Sequence, residues 1–207
     1  MDDQLVQVAA RPLPGPRPRG TRPAGGWLAG ARAGDVGVSA AIAVAVAVTG
    51  AALGYDAFAP GDAAPGTLVA HTGSFGATFG TILVQNVGAV LLAFTGVLTW
   101  GIGTLAALMT TSAWVGATAH AVVSEIGAVD VLRRALPYAF LEFGGLLLAA
   151  TGGLYPAVVL VLSLFRDAAR QHFGDAVRSA LRLLAGGLVL VVLGAAVEAL
   201  VIVGARP

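Results

Sequence analysis

The sequence predicts an all-α fold: a polytopic membrane bundle of about five transmembrane helices behind a disordered, Arg/Pro-rich N-terminal tail. Three observations predict it. Of the 207 residues, 57% are hydrophobic and only 11% are charged, about half the charged share of a soluble domain. The mean hydropathy is +0.85. The apolar residues fall in uncharged runs that reach the roughly 20 residues a helix needs to cross a bilayer. So few charges cannot build a water-facing surface. Disorder throughout would need low hydrophobicity and high net charge.

The tail comes first, over residues 1–34. It reads RPLPGPRPRGTRPAGG at its centre and carries Arg11, Arg17, Arg19, Arg22 and Arg32. A signal peptide would pass at once from a short basic region to an apolar core. This tract is long and turn-rich, and reads as a disordered cytoplasmic tail. Residues 35–207 form the transmembrane domain. Span 1 covers about 36–54 and holds AAIAVAVAVTGAALG. The polar stretch YDAFAPGDAAPG cannot sit in lipid, and residues 67–78 are expected as a short interfacial helix. Spans 2 and 3 cover about 79–98 and 103–124, and the link TWGIG between them forces a tight helical hairpin. Span 4 covers about 137–165, long enough to tilt or to break near Tyr155–Pro156. The amphipathic stretch RDAARQHFGDAVRSALR leads to span 5, about 183–203, with Asp175 as a candidate helix cap.

Arginine placement orients the chain. With the N-terminus inside, nine arginines are cytoplasmic: the five of the tail with Arg166, Arg170, Arg178 and Arg182. Arg133, Arg134 and Arg206 lie outside. The positive-inside rule therefore predicts a multi-pass cell-membrane protein with its N-terminus cytoplasmic and its C-terminus outside. The four arginines between spans 4 and 5 are expected on the anionic inner surface. A coupling helix for a cytoplasmic partner is the sharper reading of the same segment.

Ionisable groups at membrane depth are expensive and each needs an account. Asn86, His120, Glu142 and Glu198 come from four different spans. By helical rise all four lie about 6–11 Å below the outer boundary. This predicts an intramembrane polar cluster. It would bind an ion, relay protons or line a cavity; otherwise its members bond one another and fix helix register. Gly145, Ala149 and Gly153 on span 4, and Ala113, Ala117 and Ala121 on span 3, recur every four residues. Such faces pack helices closely within a bundle or between copies of a homo-oligomer.

No enzymatic motif stands out. HExxH and GxSxG are absent, as is a phosphate-binding loop. Ser74 in TGSFGAT reads as a turn or cap residue. His71 and His172 are expected at the interfaces, and three scattered His do not make a metal site. Lack of Cys removes disulfides and thiol chemistry. Two Met cannot line a copper path. The net charge of +1 gives no field for nucleic acid. No cofactor or metal is expected.

From Phe79 to Val201 the chain resembles the stage II sporulation protein M family. The segment FGTILVQNVGAVLLAFTGVLTWGIGTL places Gln85–Asn86 at the family's paired-Asn position. In LPYAFLEFGGLLLAATGGL, Pro137 and Glu142 match its Pro-His-Gly-x-x-Glu element, with Tyr138 and Ala139 in place of His and Gly. AAVEALV matches its terminal element with Glu198. The family's Asn-Gly pair is replaced near Thr111–Ala113. The resemblance implies a bacterial integral membrane protein. In endospore formers the family member is a scaffold that recruits the peptidoglycan-degrading sporulation proteins D and P. The resemblance singles out Asn86, Glu142 and Glu198, which the depth argument selects independently.

The expected function is therefore a non-enzymatic membrane scaffold for membrane or envelope partners. The alternative is a permease subunit working with a cytoplasmic ATPase docked at the Arg166–Arg182 segment.

Overall fold

The computed structural model describes residues 31–57, 74–165 and 173–204. The expected tail, the interfacial helix over 67–78 up to residue 73, and Arg166, Arg170, Arg206, His71 and His172 lie outside the described residues. Within them the chain forms five helices and no strand: α1 (Ala33–Ala57), α2 (Phe75–Phe94), α3 (Ile102–Ile126), α4 (Ala128–Ser163) and α5 (Phe173–Gly204). All five are long and apolar enough to cross a membrane.

Local chemistry sets the boundaries. Ser74 caps α2, its Oγ accepting from the Ala77 N–H at 3.5 Å, as its sequence context predicts. A single 3-10 turn, Thr95–Val97, ends α2. Gly101, at φ +87°, then turns the chain into α3, a conformation in which a Cβ is strained. Gly127, at φ +84°, separates α3 from α4.

Two helices extend beyond the apolar runs that mark their spans. α4 begins at Ala128 rather than 137, and α5 at Phe173 rather than 183. Charges at Asp130, Arg133, Arg134, Asp175 and Arg178 interrupt the apolar run but not the helix, because all are tolerated on an exposed helical face. Asp175 accordingly lies in the first turn of α5, paired with Arg178 at 3.3 Å, rather than capping the helix. The expected break at Tyr155–Pro156 does not occur: α4 runs unbroken through both Pro137 and Pro156. Tyr155 and Pro156 are wholly enclosed by neighbouring helices, which support the helix where its own ladder is weakened.

α4 is the central helix, with every residue from Ala149 to Pro156 buried. It meets α5 antiparallel at a glycine crossing. A Cβ on Gly145 would stand 2.6 Å from the Gly187 carbonyl oxygen, and one on Gly187 would stand 2.6 Å from that of Gly145. α1 meets α3 parallel, through Gly50 on Met109, Gly54 on Ala113 and Gly116 on Ala51. Backbones approach this closely only where side chains are absent, and dispersion then binds helices that gain no hydrophobic energy from each other in lipid. Leu108, Leu146, Ala150 and Leu154 join the two pairs in one core with Ala43 and Ala93. α2 closes the bundle by packing Val90 against Ala149 and Val191.

Candidate functional site

Helical periodicity brings three polar residues together. Asn86 stands midway between buried Ile82 and Val90 on α2. Glu142 precedes Gly145 and Ala149 on the packed face of α4. Glu198 lies between Ala195 and Ala199 on α5. Each polar side chain thus occupies the stripe its helix turns toward its neighbours.

Asn86 Nδ2 donates to Glu142 Oε1 at 2.6 Å. The Glu142 and Glu198 carboxyl groups hydrogen-bond each other. Tyr138, one turn before Glu142, faces both carboxyls. Gly194 provides the room: a Cβ there would lie 2.5 Å from Glu142 Cγ. The constellation therefore fastens α2, α4 and α5 at one level. It can share a proton within the pair and accept hydrogen bonds from Asn86.

His120 does not join it. Gly116 packs on the backbone of Ala51 and Tyr55, and His120, one turn on, shares that face of α3. Its ring lies against Tyr55, with centroids 4.7 Å apart and planes at 57°. Neither ring nitrogen has a hydrogen-bond partner among the described residues. Depth alone placed His120 with the acids; the face it occupies turns it to α1.

The small residues of α4 are spent inside the chain. Gly145 packs on Gly187, Ala149 is fully buried with Val90 and Val191, and Gly153 lies against Ala93 and Thr104. Arg178 is exposed beside Asp175, and Arg182 is partly buried. Among the described residues no group of three or more His, Cys, Asp or Glu could hold a metal ion.

Sequence reading missed Gly194 and Thr104, and singled out Tyr138 only as a departure from the family's element. Thr104 Oγ1 donates to the Ala93 carbonyl at 2.6 Å and accepts from the Gly96 N–H at 3.2 Å, both buried. The available signal for Gly194 was its place one turn before Glu198, where a small residue leaves space for a long partner side chain. Thr104 carried no such signal, because a hydroxyl in an apolar run is equally at home bonding its own helix.

Comparison with known proteins adds a family. No curated protein and no solved structure matches the chain. Residues 37–201 match the family described as Stage II sporulation protein M. The match reaches back over α1, which the motif resemblance left out, and takes in Asn86, Glu142 and Glu198. A five-helix membrane bundle matched over most of its length belongs to the Stage II sporulation protein M family.

Proposed function

We propose that this protein is a non-enzymatic membrane scaffold that organises envelope or peptidoglycan-remodelling partners, with its N-terminus cytoplasmic and its C-terminus outside. The observation that carries the reading is the closed constellation of Asn86, Glu142 and Glu198. Its members bond one another across three helices. Polar groups used in this way fix helix register and give a body of constant shape. A scaffold needs such a body, with its outer faces free for partners. The start of α4 offers one: Val129, Leu132, Leu136 and Phe140 recur along one exposed side at helical spacing. Family membership supports membrane residence, and the arginine distribution supports the orientation.

The test is a pull-down from native membranes through a tag on the N-terminal tail. Wild type is compared with Glu142→Gln, Glu198→Gln, which preserves shape. Envelope proteins are expected with both. Recovery of a cytoplasmic ATPase, with substrate flux lost in an assembled double variant, would overturn the scaffold in favour of a permease subunit.

A further inference from the structure

The turn between α2 and α3 is unlike an ordinary loop. No Asp, Glu, Lys or Arg occurs between Phe75 and Ser124, so the hairpin has no charged residue at its tip. A turn that enters water normally carries charge or open polar groups. This one ties up most of its N–H groups within the turn. The N–H of Leu98 bonds to Thr95 O at 3.0 Å, and Gly101 N–H to Gly96 O at 2.8 Å. Ile102 N–H bonds to Thr99 O at 3.1 Å. Gly103 N–H is taken by Thr99 Oγ1 at 2.8 Å. Thr95 Oγ1 donates to Leu92 O at 2.7 Å, and Thr104 bridges Ala93 and Gly96.

The side chains do the reverse. Leu98 is 85% exposed, Ile102 70% and Trp100 64%. Trp100 is held at φ +54°, an unusual conformation for a bulky residue that persists only where the surroundings impose it. A turn that ties up most of its N–H groups under an apolar exterior suits irregular chain at membrane depth. The exposed surface is continuous with Leu91 and Leu92 on α2 and Leu105 on α3, which face lipid in any membrane-spanning arrangement of this bundle.

An ion pair sets the depth. Arg178 reaches back along α5 to Asp175 at 3.3 Å, and both are exposed. That pair lies no deeper than headgroup level, since charges are costly deeper. Phe173 lies in the same first turn, and its ring centroid is 6.2 Å from that of Trp100. Trp100 therefore stands near the end of the bundle, and an amphipathic ring there is favoured in the headgroup layer.

We infer that the α2–α3 turn is a lipid-binding element: it stays within the bilayer, with Leu98 and Ile102 against acyl chains and Trp100 in the headgroup layer. The partner is the membrane itself. The inference is independent of the scaffold reading and of the side on which the turn lies.

Two measurements test it on the full-length protein in phosphatidylcholine–phosphatidylglycerol vesicles. The first uses Trp27→Phe, Trp114→Phe, which leaves Trp100 as the fluorophore. Lipids brominated high on the acyl chain are expected to quench it more than lipids brominated near the chain end. Iodide on both sides should quench it several-fold less than free N-acetyltryptophanamide. The second uses the natural absence of cysteine. Leu98→Cys should resist a membrane-impermeant maleimide applied to both sides until detergent is added, while the exposed Asp130→Cys reacts at once. Free-fluorophore iodide quenching with no bromolipid effect, or a Leu98→Cys that labels as fast as Asp130→Cys, would place the turn in water and overturn the proposal. Asp130→Cys labelling also reports that the vesicle-borne protein is intact.

Discussion

Between α1 and α3 the helices run parallel and meet through Gly50, Gly54 and Gly116; between α4 and α5 they run antiparallel and meet through Gly145, Gly152, Gly187 and Gly194. The packing device is the same, but the two pairs are finished differently. The α4–α5 pair is crossed by the carboxyl–carboxyl bond and tied to α2 through Asn86. No side-chain hydrogen bond joins α1 to α3 among the described residues, and the one histidine at that interface presents two ring nitrogens without partners. The difference teaches that close backbone packing suffices to hold a helix pair in this bundle. The polar constellation serves another end, which is to specify how a third helix registers on the second pair.

The largest effect should come from filling the α1–α3 crossing. A methyl group at Gly54 would collide with the Ala113 backbone and one at Gly116 with that of Ala51. Backbone cannot step aside as a side chain can. Gly54→Ala is expected to cost about 3 kcal/mol or more in denaturant unfolding from micelles. An unchanged midpoint would break the claim that packing alone secures this pair.

Next comes Thr104→Val, at the junction of α2, α3 and α4. It strands the buried Gly96 N–H and removes a bond to Ala93 O. A loss of about 1–3 kcal/mol is expected, measured in the same way. Thr104→Ser should recover most of it.

The polar fastening of α2 should be smaller. A double-mutant cycle of Asn86→Ala and Glu142→Ala is expected to give a coupling of about 0.6–1.7 kcal/mol. Zero coupling would reduce the α4–α5 pair to the same kind of object as α1–α3. The smallest effect is reserved for His120→Leu, which loses no hydrogen bond and should shift stability by no more than about 0.5 kcal/mol. A larger loss would reveal a partner for the ring.

Hydropathy made the five spans legible, because lipid imposes one rule on every membrane-crossing residue. It did not give the starts of the helices α4 and α5, because helix does not stop where lipid does: Asp130 and Arg133 are poor membrane residues and acceptable helical ones. Asn86, Glu142 and Glu198 were legible from depth and polarity together. His120 satisfied the same two criteria and belongs elsewhere, since which face a residue occupies follows from the glycine one turn away and not from its depth. The continuation of α4 through Pro156 was not legible, because the packing that surrounds it comes from neighbours distant in sequence.

The Asn86–Glu142 bond spans 56 positions of the chain. At the usual pace of synthesis, about 5–20 residues per second, Asn86 waits roughly 3–11 s before its acceptor is even made. Glu198 arrives later still, on the last helix. The α1–α3 crossing needs nothing beyond Gly116 and can form first, while α2 lies in the bilayer with an unanswered amide. A nascent chain arrested before α5 would present Glu142 to the membrane without its carboxyl partner. Completion of the last helix is therefore what removes an exposed acid from the bilayer.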